Sequence, residues 1–371
     1  MLEGISPVLK ASVWNARALL AYSVGEAKAT AAHAERAAEV LGSLDSPEAQ
    51  MERANALNYR GLAAWKQNEN HRQALALYRT LGDQEKLANS LQNLGNVLSV
   101  NKDSGALAVL EEARQIWQKL GYTAQMARVH NDLGMFYWLQ NHLSDAEAEF
   151  GKAEALNQSL GGDFLSGFIS NNLGIVRFQR GKYGAARQAY LQALSSRESE
   201  ANSKDRTMIL FNMVEVGLRL GRLDEVEFHL RSAFELLGKE DFLLQADLLW
   251  LEGEMWVLRG QHEQAQTSFE RSAQLADETQ NLERQAEALA RLARLQASLK
   301  AAHSALEIRA TPNTLATVRL LEGNLAEART ALKPLDDPYE EARLLMDAAK
   351  LRSEPSLFEE ARQLLLDISK R

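Results

Sequence analysis

Seven histidines are the first side chains to consider for chemistry, because a neutral imidazole can bind a metal ion or carry a proton. They are His33, His71, His130, His142, His229, His262 and His303. No two of them are three or four residues apart, which is the spacing that puts two metal ligands on one face of a helix. The pattern therefore predicts no metal site, and we expect no cofactor.

The sequence also gives no support for nucleotide binding or for nucleophilic catalysis. The Gly-Lys pairs at 151–152 and 181–182 lack the glycine-rich loop before them and the Ser or Thr after them that a phosphate-binding loop requires. Residues 161–164 read Gly-Gly-Asp-Phe, which superficially resembles a cyclase signature, but helical hairpins flank this segment and no strand is expected nearby. The chain contains no cysteine, so a thiol nucleophile is excluded. We therefore expect a protein without enzymatic activity.

Amide side chains recur at one position of the sequence and suggest binding instead of catalysis. They are Asn93, Asn172 and Asn212, with Asp132 at the corresponding position between them and Asn131 and Asn171 one residue earlier. An amide offers two donors and an acceptor, so a ladder of amides can hold the backbone of an extended peptide whatever its side chains. The alternative is that each amide bonds the neighbouring repeat and sets the twist between repeats. Both can hold at different positions.

The elements that position these amides follow from a pattern that occurs twice at a spacing of 40 residues. It comprises Leu133, Gly134, Ala146, Phe150 and Ala153, then Leu173, Gly174, Ala186, Tyr190 and Ala193. A glycine within a helix costs about 1 kcal/mol relative to alanine, so we expect these glycines where two helices pack closely. The alanines supply the matching small contacts on the second helix, and the aromatic ring fills the gap.

The pattern extends in both directions along the chain. Further copies comprise Leu94, Gly95, Ala106, Leu110 and Ala113, then Met213, Val214, Val226, Leu230 and Ala233, then Gly253, Ala265 and Phe269. Between the two helices of successive copies lie Gly181, Gly221 and Gly260, where we expect left-handed residues at helix ends.

This spacing resembles that of the tetratricopeptide repeat (TPR). A period near 40 residues is similar to the repeats of the maltose-responsive transcription activator, the large signalling ATPase regulators, Pins-type adaptors and kinesin light chains. The resemblance implies an all-α, right-handed superhelical solenoid of about nine antiparallel helical hairpins. It also implies that the first helix of each hairpin lines a concave groove.

Three segments are predicted along the chain. Residues 1–45 form an N-terminal capping hairpin, 46–282 form the regular repeats, and 283–371 form degenerate hairpins and a cap. Four of the six prolines fall in this last segment, so its helices should be shorter. The polar stretch from Arg197 to Arg206 is the one long interruption of the regular repeats and is a candidate mobile loop.

Charge and hydropathy exclude several partners. Fifty acidic and 42 basic residues give a net charge of −8, which opposes direct binding to nucleic acid. The sequence has no apolar run that approaches 18 residues, and the start of the chain lacks the pattern of a signal peptide. We therefore expect a cytoplasmic protein with no membrane partner.

The groove face can be read from the first helices, at positions six and three before the repeat glycine and one and four after it. The candidate binding residues on and beside this stripe are Asn93, Arg128, Asn131, Met135, Trp138, Phe168, Asn171, Asn172, Ile175, Phe178, Met208, Phe211, Asn212, Glu215, Trp250 and Glu254. From Met135 onward the stripe is largely apolar, as expected of a partner surface. The alternative is that these side chains pack across the lumen against later repeats.

We therefore expect a non-catalytic TPR scaffold that binds a protein or an extended peptide in its groove. The alternative is the ligand-sensing domain of a bacterial transcription or signalling regulator. In that case the effector is a small molecule or a peptide, and a second copy of the chain is a further candidate partner.

Overall fold

The computed structural model describes residues 5–64, 68–162, 165–196, 203–238 and 241–370. These residues form 20 α-helices and one 3₁₀ turn, and no strand occurs among them. The helices pair into ten consecutive antiparallel hairpins, one more than the approximate number expected from the sequence. The chain divides into two compact units, Met1–Asn172 and Leu173–Arg371, and the boundary lies within one helix. The boundaries predicted from sequence near residues 45 and 282 stay a prediction.

The first unit contains four hairpins and the beginning of a fifth. Its helices are α1 Pro7–Ser23, α2 Ala27–Leu41, α3 Pro47–Ala63, α4 Glu69–Leu81, α5 Gln84–Val100, α6 Ala106–Leu120, α7 Thr123–Leu139, α8 Leu143–Ser159 and α9 Ser166–Gln179, which crosses the boundary between the units. Ser46 caps α3 by accepting a hydrogen bond from the Ala49 amide, and Pro47 is the first helical residue.

The second unit continues from the end of α9. Its helices are α10 Tyr183–Leu194, α11 Ser203–Arg219, α12 Leu223–Leu236, α13 Phe242–Leu258, α14 His262–Glu278, α15 Leu282–Leu295, α16 Leu299–Ile308, α17 Pro312–Leu321, α18 Leu325–Leu332, α19 Pro338–Arg352 and α20 Pro355–Lys370. The 3₁₀ turn Lys333–Leu335 joins α18 to α19. The predicted shortening is confirmed for α16 to α18, which have 10, 10 and 8 residues, but not for α19 and α20, which have 15 and 16.

The repeat glycines lie where the helices of a hairpin approach each other, which confirms the prediction. An ideal Cβ at Gly134 would lie 2.6 Å from Cδ1 of Phe150, and one at Gly253 would lie 2.6 Å from Cε1 of Phe269. Gly174 faces the ring of Tyr190 in the same way. A methyl group at any of these positions would overlap the aromatic ring, so glycine is required there.

One copy of the repeat departs from the predicted frame. Val214 occupies the position of the repeat glycine, but the close approach is made by Gly217, one turn later on α11. An ideal Cβ at Gly217 would lie 2.6 Å from Cγ2 of Val226 on α12. In this copy the close approach between the two helices is therefore made one turn later along α11.

The polar segment predicted as a loop is partly helical, so that prediction is wrong for its last four residues. Helix α11 begins at Ser203 and continues through Arg206. Residues 197–202 of the same prediction lie outside the described residues. So do residues 65–67, between α3 and α4, and the Asp and Phe of the Gly-Gly-Asp-Phe segment. The predicted turn glycines are confirmed, since Gly181, Gly221 and Gly260 have φ of 71°, 66° and 74°.

Candidate functional site: an amide-lined pocket in the first unit

A polar pocket of about 210 Å³ opens between α5 and α7 in the first unit. Its lining residues are Asn89, Gln92, Asn93, Asn96, Gln125, Arg128, Asn131, Asp132 and Leu165. Eight of these nine side chains are polar, and six are Asn or Gln amides. The pocket is therefore lined mainly by groups that can both donate and accept hydrogen bonds, which suits a ligand with alternating amide donors and acceptors.

One amide of the pocket is held in a single orientation. The indole Nε1 of Trp117 donates to Oε1 of Gln92 over 2.6 Å, and Nε2 of Gln92 donates to Oδ2 of Asp132 over 2.8 Å. Because an indole N–H can only donate, it assigns the oxygen and nitrogen of the Gln92 amide. Trp117 is 1% exposed, so the orientation is set from within the hydrophobic core of α5 and α6.

Asp132 is the carboxylate on which several of these amides converge. Burial raises its pKa to about 6, against hydrogen bonds from Gln92, Asn96 and Asn131 and the charge of Arg128, all of which lower it. The carboxyl group therefore changes charge in the range where proteins work. Ionised, it is an acceptor for amide donors; protonated, it gains a donor of its own.

This shift predicts a pH dependence of stability. The folded pKa lies above the ordinary value of 3.8, so the contribution of Asp132 to stability is full below about pH 4 and is lost as the pH rises through about 6. Asp132→Asn cannot ionise. We therefore expect the free energy of unfolding of wild type, minus that of the variant, to fall between about pH 4.5 and pH 7.5. Urea denaturation across this range measures it, and a difference that rises with pH contradicts the assignment.

Amides also bond between successive hairpins of the first unit. Nδ2 of Asn172 donates to Oδ1 of Asn131 over 3.0 Å, and Nδ2 of Asn93 donates to Oδ1 of Asn58 over 3.3 Å. These bonds join first helices of neighbouring hairpins, α9 to α7 and α5 to α3. Part of the amide series therefore sets the packing between repeats, the alternative that the sequence left open, and its remaining donors and acceptors face the pocket.

A buried histidine completes one end of this ladder. Nδ1 of His71 lies 3.2 Å from the Asn58 oxygen that also accepts from Asn93, so Nδ1 carries the proton. Burial lowers the pKa of His71 to about 4, which keeps the ring neutral near pH 7. The ring also lies against Gly61, where an ideal Cβ would overlap it. His71 therefore has a structural role.

The structure places the remaining predicted residues of the first unit in different surroundings. Arg128 is exposed at the pocket, and Asn93 and Asn131 are half-buried beside it. The other four are the half-buried Met135, Trp138 and Asn171 and the exposed Phe168. Phe168 lies one turn beyond Leu165 of the pocket and is 48% exposed, so it offers an apolar surface to a ligand.

In the second unit, most predicted residues contact the protein itself. Ile175 and Phe178 pack against the core that contains Tyr183, and Phe211 packs against the core of α11 to α13. Asn212 is buried. Met208 is 44% exposed and lines a separate shallow groove at the start of α11.

Glu254 is the most deeply buried of the predicted residues. Its carboxylate is ion-paired with Arg291 over 2.9 Å and with Arg343. Glu254 is 1% exposed, so in this arrangement its charge meets arginines of the same chain and not a ligand.

Trp250 and Glu215 lie next to these ion pairs. The guanidinium of Arg284 lies 4.5 Å from the ring centroid of Trp250, a cation–π contact. Burial raises the pKa of Glu215, while the charges of Arg219 and Arg284 lower it. These side chains belong to a polar interior of the second unit.

Sequence reasoning missed several residues of the pocket. Asn89, Gln92 and Asn96 were assigned to the groove face but were not chosen as candidate binding residues. Gln125 is three residues before Arg128 on the same stripe of α7, and this spacing could have identified it. No signal in the sequence points to Trp117, because its role depends on which side chain it meets.

The described helices and their hairpins define an all-α, TPR-like helical repeat protein. A Rap protein complexed with Competence and Sporulation Factor has a similar structure, with a TM-score of 0.57, 15% identity and 98% coverage of both chains. The apo form of RapI has a TM-score of 0.56 at 14% identity, over 87% of this chain and 98% of that chain. BtubC (BKLC) from P. vanneervenii has a TM-score of 0.50 at 15% identity, over 64% of this chain and 93% of that chain.

These identities establish the fold alone. No protein-family model matches the chain, and no curated protein sequence matches it. In the part of the chain that the structure describes, no cluster of His, Asp and Glu side chains is arranged to bind a metal ion. Among the same residues, no helix has the length and apolar character needed to cross a bilayer.

Proposed function

We propose that this protein is a non-catalytic TPR scaffold that binds an extended peptide, or an extended segment of a protein, at the amide-lined pocket between α5 and α7. The observation that carries the proposal is the convergence of six Asn and Gln side chains with Arg128 and Asp132 in one pocket. A peptide main chain offers one N–H and one C=O per residue, which amide side chains can match in pairs.

Two amide side chains of the pocket are already fixed in one orientation, which favours binding. Gln92 is oriented by Trp117, and Asn131 by its bond from Asn172. A side chain that is already fixed loses less conformational entropy when a ligand arrives, so more of the interaction energy appears as affinity. Phe168, which is exposed and three residues after Leu165 of the pocket, is a further candidate contact. The Rap protein complexed with Competence and Sporulation Factor supports a scaffold of this fold as a binder.

The test starts from a random library of displayed decapeptides, selected on the full chain. For a selected, fluorescently labelled peptide we expect Arg128→Ala and Asn131→Ala each to weaken binding by about tenfold, or about 1.4 kcal/mol. Asn101→Ala removes an exposed amide from the end of α5 outside the pocket and should bind like wild type. Circular dichroism checks that the variants fold.

The same peptide distinguishes backbone recognition from side-chain recognition. Methylation of a single backbone nitrogen at the centre of the peptide removes one N–H donor and should reduce the affinity at least as much as Asn131→Ala. Alanine at the same peptide position should have a smaller effect. Binding that is unaffected by Arg128→Ala, Asn131→Ala and N-methylation would rule out the pocket as the peptide site.

A regulatory role is the second candidate, favoured by the likeness to Rap proteins over almost the whole chain. In this proposal a peptide or a small-molecule effector binds the pocket and changes the association of the chain with a protein partner or a second copy. A ligand at a hundred times its Kd adds about 2.7 kcal/mol to stability, so thermal shift with peptides and oligosaccharides detects it. The cytoplasmic location and the lack of nucleic-acid and membrane partners also stay predictions.

A further inference from the structure

The last hairpin of the second unit folds back onto the beginning of that unit. Tyr339 of α19 and Ile368 of α20 are buried in the same apolar cluster as Tyr183 and Tyr190 of α10. Side chains about 150 residues earlier in the chain therefore form the other half of this contact. The hairpin covers first helices of earlier hairpins, the face on which the sequence placed Phe178, Glu215 and Glu254.

Three arginines on that covered face bind three carboxylates of the last hairpin. Arg219 on α11 is 2.8 Å from Asp337, Arg291 on α15 is 2.7 Å from Glu340, and Arg294 on α15 is 3.4 Å from Asp347. We call these three arginines the arginine surface. Each arginine side chain is at most 16% exposed, and α19 covers the surface together with α17, because Arg294 also donates to Thr317 and to the carbonyl of Asn313.

The last hairpin has a second contact of opposite character. Leu344 and Ala348 of α19 pack in an apolar cluster with Leu320 of α17 and Leu332 of α18. Leu344 is four residues after Glu340 and three before Asp347, so the apolar and the ionic contacts share one face of α19. The apolar side chains stack on the preceding hairpin, as in any repeat protein, and the carboxylates meet the arginine surface.

These two contacts respond differently to separation. Removing one member of a buried ion pair strands the other, but separating the two surfaces returns every charge to water. Buried ion pairs are close to energetic break-even with apolar contacts, so they fix position more than they add stability. The ionic contact therefore adds little net stability of its own, so carboxylates of another helix can replace those of α19.

We propose that the arginine surface is a second binding site of this protein, for an acidic helix of a partner protein, and that α19 occupies it as an internal competitor. Charge complementarity defines the partner. Glu340 and Asp347 are seven residues apart on one side of α19, and Asp337 is the N-cap residue directly before this helix. Arg343 of α19 completes the match by pairing with Glu254 on α13.

The internal competitor also sets the expected affinity. A tethered segment acts at an effective concentration of about millimolar, so an external helix of equal chemistry binds poorly while α19 is in place. Weakening the ionic contact from the α19 side leaves the arginine surface intact and should expose it. This site is separate from the pocket of the first unit and does not depend on the proposed peptide binding.

The test uses the full chain and a labelled synthetic peptide of residues 336–353 as the probe for an acidic helix. We expect Glu340→Gln to bind this peptide at least tenfold more tightly than wild type does. Glu359→Gln, which removes the same charge from an exposed position on α20, should match wild type. A peptide that carries Asp337→Asn, Glu340→Gln and Asp347→Asn should bind none of the three proteins. Equal binding of the first peptide to all three proteins, or binding to none, overturns the proposal.

Hydrogen exchange of the unmodified protein tests the opening without any substitution. We expect amides of α19 to exchange through a local opening, faster than those of α13 and α15, and an excess of the unlabelled peptide to speed their exchange further. Protection of α19 equal to that of α13 overturns the proposal, even if Glu340→Gln fails to fold. Asn131→Ala in the first unit should leave both results unchanged, which separates this site from the proposed peptide pocket.

Discussion

Glu254→Gln is expected to lower the free energy of unfolding of the second unit by about 3 to 5 kcal/mol. The substitution keeps the shape of the side chain but removes the charge that Arg291 and Arg343 share. Both guanidinium groups are nearly inaccessible to water, at 5% and 3% side-chain exposure. Stranding buried charge is among the largest effects that a single substitution produces. Urea denaturation gives the magnitude.

The matched control is Glu263→Gln on α14, which removes the same charge from an exposed position. It should change stability by less than about 0.5 kcal/mol. Hydrogen exchange of Glu254→Gln should show the loss of protection first in α19 and α20, because Arg343 belongs to α19. Equal effects of the two substitutions would mean that the ion pairs do not hold the hairpin.

Gly134→Ala and Gly151→Ala are expected to change stability in opposite directions. Both glycines are helical, but a Cβ at Gly134 would lie 2.6 Å from the ring of Phe150, whereas one at Gly151 meets nothing within 4 Å. Overpacking should make Gly134→Ala destabilising by about 1 to 3 kcal/mol. Gly151→Ala should be stabilising by about 0.5 to 1 kcal/mol, because alanine restricts the unfolded chain.

Thermal or urea denaturation of both variants measures the pair of effects. Because both substitutions add one methyl group to a helix of the same hairpin, differences in expression or in the denatured state largely cancel. Two changes of the same sign would show that α7 and α8 are not packed as described.

The hairpins could be predicted from sequence because their contacts are local and periodic. Gly134 and Phe150 are 16 residues apart, and the same relation recurs between Gly174 and Tyr190. The frame failed at Gly217, where the small residue and its contact shifted by one turn. A pattern defined by fixed spacing cannot detect such a shift, because only the partner Val226 shows that the contact survives.

The fold-back of the last hairpin could not be predicted in the same way. Arg219 and Asp337 are 118 residues apart, and Arg343 and Glu254 are 89 apart. No repeat relates these positions, and a buried arginine looks like a solvated one in sequence. A groove face that binds a partner also has the same composition as a groove face that packs against later helices. The sequence therefore left both possibilities open for Phe178 and Glu254.

The amide-lined pocket could be predicted from sequence only in part. The helical stripe identified Arg128 and Asn131, because side chains three or four residues apart share a face, and the recurring amides identified Asn93. The orientation of Gln92 depends on Trp117 of the neighbouring helix, a contact that side-chain packing decides. Position on a face was therefore predictable, whereas the direction of each hydrogen bond was not.

A crystal structure of the full chain with a peptide selected from the library tests the central claim most directly. We predict that the peptide main chain lies between α5 and α7, with its N–H and C=O groups hydrogen-bonded to amides that include Asn93 and Asn131. We also predict that the hydrogen bonds from Trp117 to Gln92 and from Gln92 to Asp132 are unchanged. A peptide bound elsewhere, with the pocket filled by water alone, would contradict the account.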